Sequence, residues 1–139
     1  EVNLKDQWKE GAKSYLGLGV SNFPNLFTIT GPGSPSVLSN MMPSIEQHVN
    51  WIADCIGWMS ENNKSVIEST KTAEDEWMEL VNEIADMTIF TSTQSWYNGS
   101  NIEDKAKAFL PFIGVPVYTE KLEEITAAEY QGFIFDKSN

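Results

Sequence analysis

From Pro43 onward the apolar residues change their spacing, and that change constrains the fold of this chain more than any other feature. Ile45, Val49, Ile52, Ile56 and Met59 fall at steps of four and three, which predicts a helix from Pro43 to about Glu61 with this stripe facing inward. Pro43 suits a first helical turn, and Asn40 or Ser44 is placed to cap it. Directly before it stands "GPGSPSVLSNMM", a loop of small residues whose glycines and serines suit either a phosphate cradle or a tight strand-to-helix connection. The helix end itself carries partial positive charge, and Met41 and Met42 supply soft, adaptable contacts for a flat, electron-rich ligand. On composition alone the plain turn competes with the ligand site.

Upstream, "KSYLGLGV" and "NLFTIT" are rich in β-branched and aromatic residues and read as short strands, the second buried and stopped by "GPG". Two strands make a poor sheet, so the sheet is expected to be incomplete in this chain. Downstream, a second helix is expected near Thr72, with Thr72 and Asp75 as a capping pair and Trp77, Leu80, Val81, Ile84 and Met87 inward. A third is expected over 119–130 with Leu122 and Ile125 inside and Gly132 ending it, followed by "FIF" at 133–135 as a last strand. The stretch 91–117 has little periodicity, and a loop of that length in a compact domain is commonly functional. The elements together predict an α/β chain that is mostly helical.

At 139 residues the chain suffices for one domain with its own core. A net charge of −11 repels phosphate backbones and anionic bilayers, which disfavours nucleic-acid and membrane partners. The single cysteine, Cys55, has no internal disulfide partner, and no membrane-length apolar run or signal-peptide core is visible, so a cytoplasmic location is expected. The first residue is not methionine, which fits processing or a piece of a longer chain.

Known catalytic patterns are mostly missing. "GLGVSN" at 17–22 keeps only the first two glycines of a dinucleotide fingerprint, and no P-loop, nucleophile elbow or zinc-type spacing occurs. No metal site is expected. His48, the only histidine, and Cys55 lie seven residues apart on one helix, about 10 Å along its axis, too far for a nucleophilic pair. Both read as structural, with His48 bonded to a nearby backbone carbonyl. The carboxylates of "AEDEW" and "EKLEE" read as solvated helix faces, and the acceptor-type triplets at Asn63 and Asn98 as chance matches. Besides the loop at 31–42, "QSWYNGSN" at 94–101 stands out, because Trp96 in a long loop serves either as a ligand lid or as a core plug.

"FPNLFTITGPGSPSVLSNMMPSIEQHVNWIADCI", "SWYNGSN" and "YQGFIF" in this order closely resemble the C-terminal part of Baeyer–Villiger monooxygenases of the cyclohexanone and phenylacetone type. The likeness runs from about Leu4 to Phe135. Both dinucleotide fingerprints, the F-x-G-x-x-x-H-x-x-x-W signature and the catalytic arginine of that family lie outside it. The resemblance implies a two-dinucleotide-binding-domain flavoprotein that uses FAD, NADPH and O2 to insert one oxygen into a ketone, yielding an ester or lactone. Residues 1–42 would be the strand–loop portion of an incomplete FAD-binding domain, and 43–139 a helical region with a cofactor- and substrate-facing loop at 91–117. Met41 and Met42 would sit at the helix end facing the flavin. Trp96 and Asn101 would belong to the loop over NADP. Ser36, Val37, Leu38 and Phe109 would line the substrate pocket. No catalytic residue falls in this segment.

One departure concerns that loop. The family's G-x-N-x-P-G-K reads Gly99–Ser100–Asn101–Ile102–Glu103–Asp104–Lys105 here, and its two added carboxylates would repel a cofactor phosphate. Alone, the chain is expected to be inactive and to need the N-terminal remainder of the enzyme. The competing expectation is a stand-alone, non-catalytic helical interaction module descended from such an enzyme. Exposed apolar edges at 15–30 would favour that module or self-association.

Overall fold

The computed structural model describes residues 2–35, 40–87, 112 and 114–137. The chain is helix-rich with one small sheet. A single turn, α1 (Leu4–Gln7), leads into irregular chain, followed by α2 (Met41–Glu61), β1 (Lys64–Ser69), α3 (Lys71–Asp86), α4 (Val115–Ala127) and β2 (Phe133–Lys137). Strands β1 and β2 pair antiparallel with Ile67 opposite Phe135 and Ser69 opposite Phe133.

Helix α2 starts where Asn40 Oδ1 accepts the Met42 N–H at 3.1 Å, so the cap is Asn40 and the helix begins two residues before Pro43. It ends at Asn62, followed by Asn63 in the left-handed region at φ +53°, which asparagine tolerates. Its inward face differs from the expectation. Ser44, His48, Trp51, Cys55 and Met59 are buried, whereas Val49 and Ile56 are 46% and 52% exposed. The helix is rotated by about one residue from the hydropathy stripe, because partners satisfy the polar groups of His48 and Trp51 inside the core. Trp51 Nε1 donates to Thr126 Oγ1 at 3.0 Å.

Helix α3 is capped by Thr70, whose Oγ1 accepts the Ala73 N–H at 3.2 Å, and not by Thr72. Asp75 closes no capping box; it pairs with Lys71 and Lys13. Trp77 and Val81 are buried as expected, together with Glu74, Met78 and Ala85, and Ile84 is partly buried. Leu80 is partly exposed, and Met87, at 79% exposure, stands at the helix's C-terminal cap. Helix α4 opens four residues before the expected start, with Gly114 as cap at φ +115° and Pro116 in its first turn. Residues 115–117, assigned from sequence to the long loop, are therefore helical. Leu122 and Ile125 are buried as expected. The helix stops at Ala128, so Gly132 is not its cap. Gly132, at φ +92°, instead lets Tyr15 approach: a Cβ there would lie 2.5 Å from the Tyr15 hydroxyl.

Strand β2 confirms "FIF", whereas β1 over "KSVIES" had no counterpart in the sequence reading. The two upstream strands are not regular strands. Residues 15–27 make only isolated bridges, Tyr15 to Gly19 and Gly19 to Phe27. Leu16 at φ +60° and Gly17 at φ +75° turn the chain back on itself, and the Tyr15 N–H reaches the Gly19 carbonyl at 2.7 Å. This turn is buried rather than an exposed edge: Leu16, Leu18 and Val20 are fully covered. Tyr15, Leu16 and Leu18 share one core with Trp51, Trp77, Tyr118 and Phe133, and Trp77 stacks on Phe112 with centroids 5.1 Å apart. No described helix is long and apolar enough to cross a membrane.

Candidate functional site

The small-residue loop at 31–35 spends its polar groups internally. The Gly31 N–H donates to the Gly17 carbonyl at 3.1 Å, and the Gly31 carbonyl accepts from both the Ser34 amide and the Ser34 hydroxyl. Ser14 Oγ donates to the Pro32 carbonyl at 2.6 Å, and Trp77 Nε1 to the Gly33 carbonyl at 3.0 Å. A Cβ at Gly31 would stand 2.4 Å from Thr28 Oγ1, and one at Gly33 2.9 Å from Trp77 Nε1. These glycines serve close packing. The segment is a tight connection, and a phosphate cradle would need the Gly31 and Ser34 amides it has already committed.

The helix end behind it is different. Asn40 takes the Met42 amide, and Pro43 has none. The Met41 amide is thus the first-turn donor that neither cap nor helix takes up. No carboxylate lies in that turn to neutralise the dipole. Met41 is half-buried and Met42 is 60% exposed, so both side chains are accessible at this end. From Pro43 a groove of about 710 Å³ runs between α2 and α4 over Trp51 and Leu122. Among the described residues the Met41 amide has no partner, and an amide on an uncompensated helix dipole fits the electron-rich edge of a flat heterocycle, with sulfur contacts on its face.

Behind the helix end, His48 holds the irregular segment onto α2. The Thr30 N–H donates to His48 Nδ1 at 3.0 Å, which fixes the neutral tautomer with hydrogen on Nε2. Nε2 lies 2.7 Å from Tyr118 Oη, and that hydroxyl donates to the Leu16 carbonyl at 2.7 Å. The ring's partners are therefore an amide and a tyrosine hydroxyl rather than the expected backbone carbonyl. Burial lowers the His48 pKa from 6.5 to about 4 and raises that of Tyr118. Neither group is poised to exchange protons with a ligand at neutral pH. Cys55 is fully buried, and burial pushes its thiol up to about 12, so it supplies no thiolate. Glu74, almost fully buried, accepts the Ser21 N–H at 2.9 Å, and burial raises its pKa. Among the described residues no cluster of histidine, cysteine and carboxylate side chains could hold a metal.

Of the sequence-derived site residues, the structure describes Met41 and Met42 and places them together at the start of α2. Ser36, Val37, Leu38, Trp96, Asn101 and Phe109 lie outside the described residues. Sequence reasoning missed Tyr118, whose only signal was its place one helical turn before Leu122.

No family model matches the chain. Among curated proteins, it is 41% identical to cyclohexanone 1,2-monooxygenase from Acinetobacter sp, over 94% of this chain and 24% of that protein. It is 39% identical to a Baeyer–Villiger monooxygenase from Pseudooceanicola batsensis, over 99% of this chain and 25% of that protein. The chain's homologues thus include cyclohexanone and Baeyer–Villiger monooxygenases. A phenazine N-monooxygenase from Lysobacter antibioticus is also similar, at 41% over 94% of the chain and 24% of that enzyme.

The fold agrees with this relationship. Cyclohexanone monooxygenase from Rhodococcus sp. Phi1 bound to NADP+ superposes with a TM-score of 0.92 at 36% identity, over 97% of this chain and 25% of that one. The OTEMO enzyme in complex with FAD and NADP superposes with a TM-score of 0.88 at 29% identity, over 97% of this chain and 25% of that one. The chain thus spans about a quarter of the length of the Baeyer–Villiger monooxygenases it matches.

Proposed function

We propose that this chain forms the C-terminal part of a cytoplasmic FAD- and NADPH-dependent Baeyer–Villiger monooxygenase that converts a ketone and O2 to an ester or lactone. The observation that carries the reading is the superposition on NADP-bound cyclohexanone monooxygenase over nearly the whole chain. The start of α2 supports it, being built as an open donor end. Residues 1–42 belong with the FAD-binding domain and 43–139 with the helical region beside it. Bound at this end, the flavin supplies the oxygen-activating redox chemistry that the side chains lack. The Met41 amide and the α2 dipole would hold the flavin's pyrimidine edge, where they favour negative charge. Met41 and Met42 would pack on the ring and keep water from it. Trp96 and Asn101 contact NADP, while Ser36, Val37, Leu38 and Phe109 wall the substrate space. The chain by itself turns over no ketone, because the dinucleotide-gripping portions lie in the rest of the enzyme.

The test is made on the full polypeptide encoded by the reading frame that contains this chain. It is purified and examined for bound flavin, for NADPH oxidation stimulated by cyclohexanone, and for lactone by mass spectrometry. Flavin, ketone-stimulated oxidation and lactone together are expected. A flavin-free protein contradicts the reading. A flavoprotein that oxidises a phenazine nitrogen and no ketone contradicts the stated reaction.

A further inference from the structure

Among the described non-glycine residues with positive φ, Thr30 at +52° is the only one that is β-branched. Asparagine enters that region readily, whereas a branched Cβ crowds the backbone there and stays only where its surroundings hold it. Two anchors hold Thr30. The peptide before it gives its N–H to His48 Nδ1 at 3.0 Å, and the peptide after it gives the Gly31 N–H to the Gly17 carbonyl at 3.1 Å. Rotation about the Thr30 N–Cα bond turns one of these rigid peptides against the other, so the bend lasts while both anchors last.

The Gly17 anchor depends on the same side chains. The Tyr118 hydroxyl, bound to His48 Nε2, donates to the carbonyl of Leu16, next to Gly17. One ring on α2 and one on α4 thereby grip both chains at the root of the connection from Gly31 to Asn40. His48 and Tyr118 are fully buried, so water offers no substitute partner. Burial alone would favour an apolar side chain at 48, and an acceptor is needed there for the Thr30 amide. Helix α2 begins at the far end of the connection, at Met41, and carries His48 about two turns further on. The ring is a cross-brace: it ties the residue that opens the connection to the helix into which the connection leads.

We infer that His48 and Tyr118 are positioning residues for the ketone, holding Thr30 in its strained bend and so fixing the root of the 31–40 connection against the Met41 end of α2. The inference rests on the proposed function, in which Ser36, Val37 and Leu38 on that connection wall the substrate space. Both side chains are enclosed and act only through the backbone they hold.

Steady-state kinetics on the full polypeptide from the same reading frame test it, with crystal structures of the variants giving the Thr30 φ. His48→Leu removes the acceptor and keeps apolar bulk. In it Thr30 leaves the left-handed region and the KM for cyclohexanone rises roughly tenfold, while the KM for NADPH changes less than about threefold. His48→Gln retains an acceptor and keeps both the bend and the ketone KM. Adding Thr30→Gly to His48→Leu restores the ketone KM, because glycine adopts the bend unaided. Tyr118→Phe fills the same space without the hydroxyl and raises the ketone KM by roughly threefold. Where His48→Leu fails to fold, Tyr118→Phe with and without Thr30→Gly makes the same comparison.

A ketone KM that neither His48→Leu nor Tyr118→Phe moves, or that His48→Gln raises as much as His48→Leu does, overturns the inference. A lowered unfolding midpoint with both KM values unchanged assigns the pair to stability alone, and also overturns it. A flavin-free protein whose Thr30 bend still depends on His48 refutes the enzyme reading and leaves the brace standing. An active flavoenzyme whose bend and ketone KM ignore His48 refutes the positioning role alone.

Discussion

His48 makes the stability of this chain pH-dependent in a direction set by its hydrogen bonds. Its Nδ1 accepts the Thr30 amide, so a protonated ring would turn an acceptor into a donor facing a donor. Burial is the cause that lowers its pKa from 6.5 to about 4. With the folded value below the unfolded one, the unfolded chain binds the extra proton between about pH 4 and 6.5. The stability is therefore fully present above 6.5 and is lost as pH falls through that window. The full shift corresponds to roughly 3 kcal/mol, of which about 2 kcal/mol disappears between pH 7 and pH 5. Urea unfolding followed by tryptophan fluorescence measures it. Burial also raises the Glu74 pKa, so His48→Gln, which keeps an acceptor and a donor but does not titrate, serves as the reference. The wild type should lose about 2 kcal/mol more than His48→Gln over that interval. Equal pH slopes for the two proteins would show that the His48 ring stays accessible to protons in the folded state, and would refute the reasoning.

Gly33→Ala should destabilise the chain by about 2–4 kcal/mol in thermal unfolding, since φ is +79° and the new methyl meets Trp77 Nε1 at 2.9 Å. A change within 0.5 kcal/mol, roughly the level of a surface substitution, would mean that the loop relaxes freely. Asn40→Ala should lower urea stability by about 1 kcal/mol through loss of the Met42 cap. In the full polypeptide, Trp96→Ala should raise the KM for NADPH by roughly tenfold with kcat changed less than about threefold, measured by steady-state kinetics. An unchanged KM would remove Trp96 from the cofactor loop.

The parts legible in the sequence were those governed by local rules. The asparagine three residues before Pro43 announced the start of α2, the "FIF" run announced β2, and Leu122 and Ile125 marked the inner face of α4. Parts governed by distant partners were not legible. Ser44 and His48 are polar and so fall outside the hydropathy stripe, and the partners that bury His48, Thr30 and Tyr118, lie far along the chain. "KSYLGLGV" has strand composition, but left-handed Leu16 and Gly17 fold it into a buried turn. β1 was overlooked although Val66 and Ile67 carry strand propensity, because six residues between two strong helices give periodicity little to act on. At the site, composition left the loop ambiguous between cradle and connection. Only the positions of Gly17, Trp77 and Ser14 show that most of its groups are already taken, while among the described residues the Met41 amide has no partner.

The account's central claim is that the start of α2 faces a flavin held by the rest of the polypeptide. A crystal structure of the full polypeptide with FAD and NADP tests it most directly. The predicted result is the Met41 amide about 3 Å from an acceptor on the pyrimidine edge of the ring. A flavin seated away from the Met41 end of α2 would contradict it.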